Sequence, residues 1–310
     1  MLKIDQKLKL DQLKVADHLA NYFSTIADGT GGTNVQNLTE DDFGNHGSIK
    51  HIAMISALNA ASEEFQFKPL DNKLVQEAMK MLNPRKATGY DKIDPRILKV
   101  GAEELAPSLT SIFNQSITKE AWVTQWKHGE WVPLFKKEDR QEDKNYRPIT
   151  VLPCVDKIYE KLLAKQISNF MDIRFNDASA LKTAVKPRLW GWLRIGKLSL
   201  TVRISSVLAS DMSKAFDSVC PALLINKLRA YNFSESALNL MRSYFPQREN
   251  RVRVGTVTSD WKMVPKDQLL DPFCGMFFKM IYHFKWGNQA FLCTLMITKS
   301  TWVATRVKEW

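Results

Sequence analysis

Apolar positions recur at helical spacing over residues 8–26, where Leu10, Leu13, Val15, Leu19, Tyr22 and Phe23 alternate with charged and amide side chains. This predicts an amphipathic helix outside the main core. The Gly-, Thr- and Asn-rich stretch 28–37 then reads as a loop or linker. From Asp71 the helical period firms up. It predicts a helix over 73–82, a turn through NPRKATGYDKID, and helices over 95–105 and 107–118, with Leu109, Ile112, Phe113 and Ser116 on one stripe of the last. Pro84, Pro95 and Pro107 punctuate this region. The period changes over 130–152, EWVPLFKKEDRQEDKNYRPITVL, which reads as two short strands around a highly charged turn. Lys136, Lys137 and Arg147 project from that hairpin. A long helix follows, with Ile158, Leu162, Leu163, Ile167 and Phe170 on one face. Further on, Pro221 opens a helix through ALLINKLRAY, and Ser234 caps another whose stripe is Leu238, Met241, Tyr244 and Phe245. RVRVGTVTSDW predicts a second hairpin. No internal repeat is evident.

Composition changes this picture in two ways. The 310 residues carry 44 Lys and Arg against 33 Asp and Glu, a net charge of +11, which suits a polyanionic partner. The four cysteines, Cys154, Cys220, Cys274 and Cys293, have neither zinc-ligand nor disulfide-framework spacing, which points to a reducing compartment. The N-terminus lacks the apolar run of a signal peptide, and Lys279, His283 and Lys285 interrupt the greasiest stretch, 273–298. The expectation is an intracellular protein, cytoplasmic or nuclear, not secreted and without a membrane span.

The candidate chemistry lies in SVLASDMSKAFDS, residues 206–218. An apolar run ending on Asp211 places a carboxylate at a strand end, where a two-metal phosphoryl-transfer site hangs its first ligand. The other reading is an Asp that caps the following turn. Phe216 reads equally as a core aromatic, and Lys136, Lys137 and Arg147 as a solvated turn among Glu138, Asp139, Glu142 and Asp143. Lys157, Lys161 and Lys165 either track a nucleic-acid backbone or form the solvent face of their helix.

Three blocks in this order resemble the reverse transcriptase domain of non-LTR, LINE- or Jockey-like retroelements: NPRKATGYDKIDPRILK, VPLFKKEDRQEDKNYRPITVLPCVDKIYEKLLAKQI, and DMSKAFDSVCPALLINKLRAYNFSESALNLMRSYFPQRENRVRV. The resemblance implies an α+β, right-hand polymerase fold of fingers and incomplete palm, with an N-terminal helical extension. The implied division is residues 1–70 as helical and linker region, 71–205 as fingers, and 206–310 as partial palm. It further implies an RNA template, a DNA primer and a dNTP as ligands, and Mg²⁺ held by Asp211 with the Met212 carbonyl beside it. Phe216 falls where such enzymes set an aromatic against the sugar 2′ position. Lys136 or Lys137, with Arg147, matches the hairpin that clamps the incoming triphosphate.

The pattern then departs from the family. Where VPQGSxLGP is expected, the chain has VPKDQLLDP, so Lys266 and Asp267 replace Gln-Gly and Asp271 replaces the second Gly. Added side-chain bulk and negative charge oppose a close approach to phosphates. Where YADD is expected the chain reads FLCTLMITKSTW, and Glu309 is the one acidic residue after Pro272. Met296 must be encoded ATG and Ile297 must begin AT, so the straddling codon is GAT, Asp. In that same frame Cys293 to Ile297 can encode Tyr-Ala-Asp-Asp. Residues 182–197, also unlike the family, permit family-like codons in a shifted frame. Trp190, Trp192, Trp286, Trp302 and Trp310 cluster in or near these two windows.

The sequence therefore predicts a reverse transcriptase-like chain that is catalytically defective, interrupted by frameshifts after about Leu181 and before about Thr294. The rival readings are a non-catalytic RNA- or DNA-binding protein and a product that does not fold.

Overall fold

A chain whose apolar stripes are this well separated folds by laying helices against one another and against a mixed sheet. The computed structural model describes residues 2–4, 7–9, 11–25, 39–58, 63–136, 138–174 and 220–264. A short antiparallel pair, β1 (Leu2–Ile4) and β2 (Lys7–Lys9), precedes α1 (Gln12–Thr25) and, after a gap, α2 (Gly47–Leu58). Next come α3 (Asn72–Lys80), α4 (Pro95–Val100) and α5 (Ala102–Thr118). The hairpin β3 (His128–Phe135) and β4 (Tyr146–Val151) leads into α6 (Cys154–Arg174). The last described elements are α7 (Pro221–Ala230), α8 (Glu235–Tyr244), β5 (Glu249–Val254), β6 (Val257–Thr258) and β7 (Lys262–Met263).

The main sheet runs β4-β3-β5-β6, with β7 also paired to β5. β3 and β4 are antiparallel, whereas β3 and β5 are parallel, with His128 beside Glu249 and Trp131 beside Val252. The parallel pairing fastens the second predicted hairpin onto the first. Gly255 makes the tight β5–β6 turn possible at φ +62°, a conformation Gly adopts without steric cost.

Most local expectations hold. Pro221 starts α7, and the Ser234 hydroxyl accepts the Ala237 N–H at 3.2 Å as the cap of α8. Ile158, Leu162, Leu163 and Ile167 of α6 are buried together with Leu238, Met241 and Tyr244 of α8 and with Phe245 at its C-terminal end. Aromatic rings tie these helices to the hairpin's lead-in: Phe113 stacks on Tyr159 at 4.9 Å, and Trp122 lies 4.8 Å from Tyr159 and 4.7 Å from Tyr244.

Two expectations change. The helix break falls at Gly101, not at Pro107, which sits inside α5. Pro107 forfeits one backbone donor, but the buried face of Ala102, Ala106, Phe113, Ser116 and Ile117 carries the helix through it. Ile112, expected on the buried stripe, is exposed.

The first helix also acquires a role. α1 is outside the larger core and builds a second one, in which Val15, Ala16, Leu19, Ala20 and Phe23 pack with Trp131, Val252 and Val264. Elsewhere the N-terminal region reaches the C-terminal helices. Phe65 lies 4.3 Å from Phe233, and Glu40 accepts from Arg242 Nε at 2.6 Å and from Arg229 at 2.9 Å.

Candidate nucleic-acid interface

Side chains alternate across a strand, so the register of β3, β4 and β5 fixes what each face of the sheet carries. One face presents Trp131 and Val252 to α1, with Phe23 edge-on to the Trp131 ring at 5.9 Å. The other face carries His128, Glu130, Val132 and Leu134 from β3, Arg147 and Ile149 from β4, and Arg251 and Arg253 from β5. Towards the hairpin tip it is open, with Leu134 and Ile149 exposed.

A single buried carboxylate organises the cations of this face. Glu130 accepts from Arg251 at 2.7 and 3.1 Å, and Arg253 Nε lies 3.0 Å from its other oxygen. The Arg251 guanidinium sits over the Trp261 ring at 4.7 Å, and Trp261 in turn meets Tyr90 at 5.5 Å and His128 at 5.1 Å, both edge-on. Tyr90 donates to the Gln125 carbonyl at 2.7 Å, and His128 Nε2 pairs with Glu249 at 3.2 Å.

Tyr90 reaches this face because Gly89 does. A Cβ on Gly89 would lie 2.8–2.9 Å from the Leu152–Pro153 backbone, so the turn can press against the end of β4 only with glycine there. Beside it, burial raises the Asp91 carboxyl above the usual carboxylate range, against the lowering effect of the Ile93 N–H at 3.1 Å and the Lys157 charge. Burial likewise pushes the Cys154 thiol up.

Among the predicted residues, Lys136 is exposed at the end of β3, its N–H donating to the Asn145 carbonyl at 2.8 Å. Arg147 is half-buried opposite Leu134. The turn between them is folded: Arg140 lies over the Phe135 ring at 4.9 Å, Tyr146 donates to the Arg140 carbonyl at 2.8 Å, and His18 of α1 meets Asp143 at 2.9 Å. Lys161 and Lys165 are exposed on α6, while Lys157 is half-buried. Lys137, Asp211, Met212 and Phe216 lie outside the described residues, as do residues 182–197 and 291–302. Among the described residues no group of three or more His, Cys, Asp or Glu could hold a metal ion, and no helix is long and apolar enough to cross a membrane.

Sequence reasoning missed Tyr90, His128, Arg251, Arg253 and Trp261 as parts of one surface. The alternation of RVRV was the available signal: it places two arginines on one side of a strand, although it does not say which strand lies alongside.

A mixed sheet with a basic, partly open face next to a charged hairpin fits a nucleic-acid polymerase, and the comparisons agree. Residues 135–266 match the reverse transcriptase (RNA-dependent DNA polymerase) family. The chain carries a reverse transcriptase-like domain of the kind found in non-LTR retrotransposons. It is similar to the probable RNA-directed DNA polymerase from transposon BS of Drosophila melanogaster, 25% identical over 221 residues, which cover 66% of this chain and 24% of that protein. The probable RNA-directed DNA polymerase from transposon X-element of the same fly is 30% identical over 105 residues, 34% of this chain and 12% of that one. The RNA-directed DNA polymerase from mobile element jockey of Drosophila funebris is 24% identical over 219 residues, 66% of this chain and 23% of that one. The chain thus spans a quarter or less of the length of these relatives.

Proposed function

We propose that this chain is the fingers and part of the palm of an RNA-directed DNA polymerase, and that the sheet face bearing Arg147, Arg251 and Arg253, with Lys136 at the end of β3 and Lys137 next to it in sequence, faces template, primer and dNTP. The observation that carries this reading is convergence. Three sequence blocks, represented by Tyr90, by the β3–β4 hairpin and by β5, meet on one basic face, to which the segment that matches the family, residues 135–266, contributes β4 and β5. Cations held in fixed geometry neutralise the charge of a triphosphate without reorganising as it binds. In this reading Asp211, with the Met212 carbonyl, would hold Mg²⁺, which would supply charge neutralisation at the transferring phosphate. Phe216 screens the sugar.

The enzyme is defective in the same reading, because no carboxylate stands where the family places its YADD turn, and one remaining Asp cannot organise two metals. Primer extension on an RNA template with Mg²⁺ is expected to give no incorporation above background. Robust incorporation that Asp211→Ala abolishes would overturn the defect. The frameshift origin is tested in the coding DNA: TAYGCNGAYGAY in another frame across codons 291–302 is expected, and its absence there rejects the idea.

A second reading, a non-catalytic RNA- or DNA-binding protein, is favoured by the same basic face, which needs no metal. It predicts salt-dependent binding that weakens when Lys136, Lys137 and Arg147 are replaced together by Ala, each lost phosphate contact lowering the salt slope by about one.

A further inference from the structure

α4 is apolar on both sides. Pro95 and Leu98 face the core, while Ile97 and Val100, one turn apart on the opposite side, are 62% and 86% exposed. The exposed patch continues past the helix. Leu105 folds over Gly101, whose Cβ position would be 3.2 Å from the leucine methyl. Lys99 donates to the Leu82 carbonyl at 3.2 Å and so fastens α4 to the end of α3, where Met81 is 73% exposed. Ile93, also exposed, stands one turn before Ile97. Adjacent exposed aliphatic side chains of this kind mark an interaction surface, unlike the same residues scattered singly.

The rim of the patch is basic. Lys80, Arg85, Lys86 and Lys92 are exposed and make no ion pair with any described residue, whereas Arg96 is paired with Asp94 at 2.6 Å. The acids Glu103 and Glu104 stand at the α5 end, and among the basic residues only Lys80 has an exposed acid, Glu77, beside it on α3.

We propose that this patch docks an acidic amphipathic helix of another protein, its aliphatic stripe on Ile97, Val100 and Met81 and its carboxylates against Lys80, Arg85, Lys86 and Lys92. The charge asymmetry of the rim sets its direction, keeping its carboxylates away from Glu103 and Glu104. A nucleic acid fits less well, because the centre of the patch offers no aromatic ring for bases to stack on. A second copy of this chain would bring like-charged rims together. Beyond residue 25 the acidic residues of the undescribed stretches are only Asp28, Asp177, Asp211, Asp217, Asp267, Asp271 and Glu309, too few and too scattered in sequence to supply an acidic stripe.

The test is fluorescence anisotropy on the whole chain with a labelled 18-residue helical peptide bearing a Leu stripe flanked by Glu. Controls are the same peptide with Lys for Glu and a 20-nucleotide single-stranded RNA. The Glu peptide is expected to bind saturably, to weaken with salt, and to bind at least 10-fold more tightly than the Lys peptide. Val100→Glu and Ile97→Glu should each weaken it 10-fold or more with an unchanged thermal melt, and Lys86→Glu with Lys92→Glu should weaken it independently of the apolar centre. Equal binding of the two peptides, or affinity unaffected by Val100→Glu, overturns the proposal. So does RNA binding that Val100→Glu impairs, or a dimer in sedimentation velocity that Val100→Glu dissolves.

Discussion

The two faces of the sheet are built from the same strands to opposite ends. On the face under α1, Trp131 and Val252 are fully buried, and the helix supplies Phe23 and Leu19 to meet them. On the other, Glu130 is buried only to hold Arg251 and Arg253, and Leu134, Ile149 and Lys136 are left to solvent. The covered face is held by packing, which tolerates no gap. The open face is held by charge pairing around one carboxylate, which fixes cations in place while leaving a surface that a polyanion can reach. Packing and charge pairing are thereby separated by one residue along β3.

Breaking the covered face should cost most. Trp131→Ala is expected to lower unfolding free energy by about 4 kcal/mol, because it empties a site that Phe23 cannot fill, and urea denaturation measures this. A loss below about 1 kcal/mol would mean that α1 is not seated on the sheet. Glu130→Gln should cost about 2 kcal/mol, less than a fully buried pair, since the arginines retain some contact with water. It should also leave nucleic-acid binding more salt-dependent, read by titration against NaCl.

Asp91 sharpens the contrast at the edge of the open face. Because burial raises its folded pKa above the ordinary 3.8, the native state holds this proton more tightly than the unfolded chain does. Stability therefore falls as pH rises from about 3.8 through the raised value. Asp91→Asn should flatten that part of the profile and stabilise the protein by less than about 1 kcal/mol at neutral pH, as followed by melts across the acid range. Arg147→Ala should have the smallest effect on stability, within about 0.5 kcal/mol, while reducing nucleotide or nucleic-acid affinity. A large loss of stability would assign Arg147 to the framework instead.

Much of this was legible along the chain. Ser234 and Pro221 mark their helix starts, because a cap or an N-terminal proline satisfies local backbone needs wherever the helix packs. The β-branched and aromatic residues on either side of a highly charged turn gave the hairpin over 130–152 for a similar reason, since both the strand preference and the turn are local. Pro107 misled because a helix break was read from one residue, whereas the buried face of α5 outweighs a single missing hydrogen bond. Tyr90 could not have been grouped with Arg251 and Trp261 from spacing, since it comes from a segment far from theirs in the chain.

By itself the sequence determined the period of each element, the basic balance, the family blocks, and the missing carboxylates after Pro272. These are properties of neighbours in the chain or of composition, and need no partner to be read. Only the tertiary structure decided that β5 lies parallel to β3, that α1 covers one face and leaves the other open, and that Gly89 brings Tyr90 to the open side. Such pairings join residues far apart in the chain, and their energy comes from area buried and charges matched in space, which no local pattern encodes.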